Sequence, residues 1–380
     1  MKKILLLLCL CAATTITFSA HAATLPADTG KAAATPAAPA PAPDAPLVFS
    51  GSVDTYYKYD FSGHGNSFTS FANEQNSVSI GMIDLGLKKS VGKASFVGEL
   101  SFGPRGQYQS IPNANPGSIS GSSATAYSSY HIQNLYVAYA VTDKLTLTAG
   151  YMSTFIGYEV ISPAGNFNYS TSYLFTEGPF QNAGFKATYA FSDKVSLMAG
   201  IFNNYWNAYN SFSVDKQGAT TSGDVSTFGA QLTITPVKDW TAYINVATGP
   251  YSGTIFDLTT AYQITSAFKL GLNGATFTPS HGGGGYDGIA LYPQVAVSKS
   301  VTFGLRGEYF EFKAVGTTSP SANVTAITGT ANIKAGPLTL IPEIRFDTFG
   351  GTGKPMPFLD SSGASTANAS QFVLAAVFAF

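Results

Sequence analysis

The feature that most constrains this chain is the alternation of two kinds of connector. From about residue 47 onward, stretches of about ten residues alternate apolar with polar side chains, and each ends in a very short turn or a long polar loop. The short turns are SVGK (90–93), TDK (142–144), SDK (192–194), PVKD (236–239), TSA (265–267), SKS (298–300) and AGP (335–337). The long connections cover about 62–75, 104–128, 157–180, 204–223, 249–254, 277–286, 313–322 and 349–369. Short and long follow one another without exception, giving sixteen strands with both barrel termini on the short-turn side. An even strand number with unequal ends is the pattern of a transmembrane barrel. Strands of ~9–11 residues tilted by ~45° cross the hydrocarbon, and closure pairs every backbone group, as lipid requires. The expected fold class is therefore all-β: a transmembrane antiparallel up-and-down β-barrel of about 16 strands, with short periplasmic turns and long extracellular loops.

The two phases of each stretch are chemically distinct. In LVFSGSVDTYYKYDF, one phase holds Phe49, Gly51, Val53, Thr55, Tyr57, Tyr59 and Phe61, and all three charges fall in the other. The chain ends QFVLAAVFAF, with a bulky set (Phe372, Leu374, Ala376, Phe378, Phe380) alternating with a small one. Such a strand would aggregate as a free soluble edge; as the last strand of a barrel it pairs with the first. Its terminal phenylalanine resembles the C-terminal signature that assembly factors read on Gram-negative outer-membrane barrels.

Composition agrees. Charged residues make up 11% of the chain, under half of the ~25% usual in soluble domains. The only long apolar run, ILLLLCLCAA, follows Lys2 and Lys3 and precedes the small-residue site Ala20-His21-Ala22. Residues 1–22 thus read as a secretory signal, with the mature chain starting at Ala23. Cys9 and Cys11 both fall inside it, so no disulfide or thiol chemistry is expected of the mature chain. Residues 23–46 are Pro/Ala-rich and read as a disordered linker, and 47–380 as the barrel. Removal of two lysines leaves 18 bases against 21 acids, with no nucleic-acid footprint.

Aromatic residues recur at fixed depths. Tyr139, Tyr189 and Tyr262 each precede a short turn by three residues and Trp240 follows one, as an interfacial girdle requires. Tyr59, Tyr151 and Tyr309 fit a second girdle near the other strand ends. Two features resist the pattern. Pro293 and Pro342 interrupt strands that should be paired on both sides. Val78, Ile80 and Met82 are out of phase with Ile83, Leu85 and Leu87, which a bulge near residue 82 would reconcile.

The stretches DLGLKKSVGKASFVGELSFGPRG (84–106), TDKLTLTAGYMSTFIGYEVISPAGNFNYSTSYLF (142–175), KATYAFSDKVSLMAGIFN (186–203) and GPLTLIPEIRFDT (336–348) resemble the OmpL-like β-barrel porin family of Gram-negative outer membranes. The likeness runs from about residue 47 to the end, strongest in the first half and at the C-terminus. It implies an exported outer-membrane channel and assigns no residue-level chemistry. The implied partners are outer-membrane lipid and lipopolysaccharide, the barrel-assembly machinery acting on the strand that ends at Phe380, and small hydrophilic solutes. A homotrimer follows only by analogy with other sixteen-stranded porins.

Phase places a limited set of charges inside. The acids are Asp54, Asp60, Asp84, Glu99, Asp257, Glu308, Glu343 and Asp347; the bases are Lys58, Lys88, Lys186, Lys269, Arg306 and Arg345. Lipid-facing Lys or Arg would cost ~2–4 kcal/mol at the midplane, whereas a wet lumen charges little. A sixteen-stranded barrel leaves an aqueous channel, so the expectation is passive diffusion with weak, slightly cation-favouring selectivity. Arg306 and Glu308 could form a ladder with Glu343, Arg345 and Asp347 two strands away. The loop IGYEVISPAGNFNYSTSYLFTEGPF (156–180) holds Glu159, Asn166, Asn168, Tyr169 and Glu177 as constriction candidates. It either folds into the lumen or packs on the rim as an outer lobe; periodicity does not choose.

Catalytic readings find little support. His64 and His281 fall in loops and His131 at a strand end, none with a nucleophile and acid in a recognisable arrangement. The GGGG run (282–285) lacks the lysine and helix of a phosphate cradle, and no metal-ligand spacing or cofactor motif is present. The sequence is also compatible with a plugged adhesive or anchoring barrel and, with less support, a barrel hydrolase.

Overall fold

Why strands form is clearest in Val301–Phe312. Phe303, Leu305 and Tyr309 point outward and are exposed, while Gly304, Arg306, Glu308 and Phe310 point inward and are buried. A period-two segment with one apolar face satisfies lipid on one side and water or protein on the other. The computed structural model describes residues 45–105, 132–204, 206–207, 211–214, 220–316, 319–351 and 356–380. The expected signal and most of the expected linker (1–44), and His131, lie outside the described residues.

Sixteen such strands close into one antiparallel barrel. They are β1 (Val48–Asp60), β2 (Ser77–Val91), β3 (Ala94–Phe102), β4 (Ile132–Ala140), β5 (Leu145–Ser153), β6 (Gln181–Ala190), β7 (Val195–Asn203) and β8 (Val225–Ile234). The second half comprises β9 (Trp240–Gly249), β10 (Gly253–Gln263), β11 (Phe268–Thr278), β12 (Tyr286–Ala296), β13 (Val301–Phe312), β14 (Ala322–Ala335), β15 (Leu338–Gly351) and β16 (Asn368–Ala379). Each pairs with its neighbours in sequence, and β1 pairs with β16 from Ser52↔Ala379 to Asp60↔Gln371. Reciprocal bonds between Gly51 and Phe380 (3.0 and 2.9 Å) finish the seam.

All seven short turns stand where the spacing predicts them. At the opposite end one expectation fails. The connection expected over 249–254 is the tight turn 250–252, because pairing runs up to Gly249↔Gly253. Gly253 supplies a left-handed backbone (φ 72°) at that corner, and the Thr248 and Thr254 hydroxyls bond across it at 2.7 Å. Two small hairpins, Phe212–Val214 with Thr220–Ser222 and Phe358–Leu359 with Ser365–Thr366, stand apart from the barrel sheet.

The irregularities have local causes. Val53 pairs with Ile83 but Thr55 with Ile80, so Gly81 and Met82 together oppose Asp54. This bulge returns Val78 and Ile80 to the outer face, and the Asp54 carboxylate accepts the freed Met82 N–H at 2.9 Å. Pro293 is paired with Leu270 on one side, while on the other the ladder skips from Leu291↔Gly307 to Gln294↔Gly304. Pro342 is paired with Leu374, and its other ladder skips from Thr330↔Glu343 to Ile333↔Leu340. Each proline thus turns its missing N–H to a gap without shifting the register.

The girdle at the short-turn end holds: Tyr139 and Tyr189 are exposed, and Trp240 packs on Tyr262 with ring centroids 5.4 Å apart. At the other end Tyr309 is exposed and Tyr59 half-buried. Tyr151 departs from expectation. It shares the outward phase of its partner Leu135, yet it is covered, and its hydroxyl donates to the Asn207 carbonyl at 2.9 Å.

The outer band predicts the response to a buried charge. Leu305→Arg, on the lipid face of β13, should cost ~2–4 kcal/mol. Urea unfolding in lipid vesicles checks this, with the outward-pointing but terminal Val301→Arg as the milder comparison.

Candidate functional site

The lumen is built around the segment 154–180, which leaves β5 and returns into β6. Its shape is set locally. Asn166 closes the 160–166 turn, its side chain accepting from Val160 N (2.9 Å) and donating to Val160 O (2.6 Å). Ser172 caps the short helix α1 (Tyr173–Glu177) by accepting from Phe175 N at 3.0 Å.

A backbone running through a barrel leaves amides and carbonyls that regular structure does not pair. Here the inward wall charges pair them. On β15, Glu343 accepts from Tyr169 N (2.9 Å) and Ser170 N (3.0 Å). On β13, Glu308 accepts from Tyr173 N (3.0 Å) and Leu174 N (2.8 Å). On β10, Asp257 accepts from Gly157 N at 3.0 Å. The carbonyls go to guanidinium groups: Arg306 donates to Ser170 O (2.6 Å) and Thr171 O (3.2 Å), and Arg345 to Thr171 O at 2.7 Å. Carboxylates thus take the N–H groups and arginines the C=O groups, both as charge-assisted bonds.

Side chains of the segment add to this. Glu159 is buried and paired with Arg306 at 2.9 Å. Asn168 donates to the Thr330 hydroxyl at 2.6 Å. The Tyr169 hydroxyl donates to Asp54, and that of Tyr173 to Asp347 at 3.1 Å. Burial, and then the Asp54 carboxylate, holds the Tyr169 phenol well above its ordinary pKa, so it remains a donor. Glu177, by contrast, is exposed.

The segment therefore lies inside the barrel and is not an outer lobe. This alters the surroundings of the expected pore-lining charges. Asp54, Lys58, Asp60, Asp84, Glu99, Asp257, Arg306, Glu308, Glu343, Arg345 and Asp347 are all buried, with exposures of 0–6%. They are covered by the segment, by the 61–76 loop or by neighbouring polar side chains. Asp84 and Glu99 join a polar cluster with Ser101, Gln133 and Asn134. The expected ladder between β13 and β15 is not direct. Arg306 reaches Glu159 of the segment and Thr328 of the intervening β14, Glu343 accepts from Thr330 on that strand, and Arg345 pairs with Asp347 two residues along (2.8 Å).

Two contributors are not legible in the sequence. Arg105, in a stretch expected to be outer loop, donates to Ile161 O (3.3 Å) and Tyr169 O (3.0 Å) and lies over the Phe71 and Tyr169 rings. Phe71, in the 61–76 loop, packs on Phe175 and Phe180 with a left-handed backbone of φ 71°. A lone arginine directly after a strand, in SFGPRG, was the available signal for the first.

On the short-turn side of the segment lies a cavity of about 1400 Å³. Phe155, Tyr158, Asn166 and Phe167 form its roof, and Lys186 and Lys269 lie in its wall. Both lysines are half-buried, and Lys88 is exposed nearer the same mouth.

A closed sixteen-stranded barrel with an inserted third loop defines an outer-membrane protein of the porin class. The chain belongs to the family described as "Putative beta-barrel porin-2, OmpL-like", matched over residues 46–380. It is thus an outer-membrane β-barrel of a diffusion-channel family. No curated protein matches it by sequence. Among solved structures it is similar to the outer-membrane channel DcaP of Acinetobacter baumannii, at 11% identity and a TM-score of 0.56, covering 88% of this chain and 97% of that one. Salmonella typhi OmpF, solved in complex with daunomycin, gives 11% and 0.52 with the same coverages. The trimer form of Vibrio cholerae OmpT gives 12% and 0.51, covering 88% and 99%. At these identities the likeness is one of fold.

The anchors make a direct prediction. Glu343→Ala removes the acceptor of two backbone amides and should loosen the segment by about 2 kcal/mol, roughly thirtyfold in exchange protection. Hydrogen exchange at Tyr169 and Ser170 measures it; unchanged protection would mean that Glu343 does not hold the segment.

Proposed function

We propose that the protein is a non-enzymatic channel through which small hydrophilic solutes and ions diffuse, with residues 154–180 as its constriction. One observation carries this reading: the segment is lashed across the lumen by bonds to β10, β13, β14 and β15, above a cavity that opens toward the short turns. A fixed, hydrogen-bonded narrowing sets a size limit without moving parts. In this reading Glu159, Asn166, Asn168 and Tyr169 shape the narrowing. Glu308, Glu343, Arg306 and Arg345 act as anchors, and Lys186 and Lys269 face the solute path. The short turns face the periplasm, and residues 1–22 direct export. Assembly as a homotrimer is proposed by analogy with the trimer form of Vibrio cholerae OmpT.

A second reading has a specific observation in its favour. The wall charges around the segment are almost entirely buried, as they would be in a barrel plugged for adhesion or anchoring. Single-channel recording of the full chain in a planar bilayer separates the two. The expected result is steady, ohmic openings that widen when residues 160–175 are deleted. Silence from a barrel shown to be folded by heat-dependent gel mobility would establish the plugged form, and conductance unaffected by the deletion would remove the constriction.

A further inference from the structure

Charge is divided along the barrel axis. Among the described residues, the carboxylates on the inner wall stand at the level of the 154–180 segment or beyond it toward the long loops; Asp84 and Glu99 belong to the cluster whose Asn134 accepts from Ser153 N, where the segment begins. Asp257, Glu308 and Glu343 bind its backbone, Asp54 and Asp347 bind its tyrosines, and Asp60 bonds to Ser62 at the far strand end. Between the segment and the short turns the inner wall carries, among the described residues, Lys88, Lys186, Lys269 and Lys334 and no carboxylate. The acids that reach the cavity from below, Asp143, Asp193 and Asp239, belong to the short turns themselves, and Glu159 in its roof is taken by Arg306.

Lys186 and Lys269 face this one cavity from β6 and β11. Across the ladders Lys186 is flanked by Thr148 and Gly200, and Lys269 by Gln263 and Gln294, so their strand neighbours carry no charge. Among the described residues neither ammonium has an ion-pair partner. Thr188, Thr259 and Gln294 add neutral hydrogen-bonding groups to the same walls. Low-dielectric walls bearing one sign of charge raise the local concentration of counter-ions.

We infer that the short-turn half of the lumen is a vestibule for small oxyanions, carboxylates or phosphate, with Lys186 and Lys269 as its recognising cations. The wall charges that suggested a slight cation preference are buried against the segment, the 61–76 loop or neighbouring polar side chains, so the free charge on the wall below the segment is positive. As a statement about permeation this rests on the open-channel reading; as a statement about binding it does not.

The test uses the full chain in two formats. In a planar bilayer, a KCl gradient centred on about 0.1 M, where screening extends over ~10 Å, should give a reversal potential of chloride preference that weakens at higher salt. K186Q/K269Q should lose that preference, and K186R/K269R should keep it. Potassium preference in the native barrel, or selectivity unchanged in K186Q/K269Q, overturns the permeation claim. No current at all refutes the open channel and leaves the binding claim to the second format. There, the ³¹P line of inorganic phosphate should be broadened by the native barrel and by K186R/K269R in micelles. K186Q/K269Q should broaden it markedly less. Equal broadening by native and K186Q/K269Q barrels would leave only diffuse attraction to surface lysines and would overturn the vestibule.

Discussion

A peptide group surrounded by hydrocarbon has only another strand to bond with, and the rest of this structure follows from that demand. It closes sixteen strands on themselves and joins the last residue, Phe380, back to Gly51. It also decides how irregularities are tolerated. The bulge at Gly81–Met82 survives because Asp54 reaches across to the freed amide, and the prolines survive because each turns its missing donor to a gap in the ladder. None of these departures leaves the barrel open at an edge.

The same demand is met by other means inside the lumen. A loop threaded through a barrel cannot use strand pairing, so side chains must serve its amides and carbonyls. Carboxylates on β10, β13 and β15 serve the amides, and arginines on β13 and β15 serve the carbonyls. Inward charges, tolerated on a wet wall, become structural once a loop covers them. Truncating one partner of such a buried pair strands the other, so the segment and the wall that holds it are mutually dependent. Among the described residues, the inward charges on the wall below the segment are lysines without an ion pair, whereas Lys58, also without one, is buried near the long-loop end.

The barrel was legible in the chain because strand periodicity and turn spacing are local. Each ten-residue stretch reveals its lipid face by itself, and each short turn by its own few residues. The tight turn at 250–252 looks like a loop in sequence because Gly-Pro-Tyr-Ser-Gly has loop composition, while the pairing that tightens it comes from the strands on either side. Tyr151 has the phase of a girdle residue, but Asn207, fifty-six residues away, decides that it is covered. The role of Arg105 is not legible locally, because nothing within its own stretch says that Ile161 and Tyr169 will come to it.

The sequence by itself determined the strand number, the closure, the two faces of each strand and which charges point inward. These follow from period two and from the cost of charge in lipid, both properties of short stretches. Only the tertiary structure decided that residues 154–180 enter the lumen, since that choice rests on contacts such as Tyr169 to Glu343, separated by 174 positions. It likewise decided which inward charges are engaged and which stay free. A side chain's phase fixes the direction in which it points, but what it meets there depends on where the rest of the chain has gone.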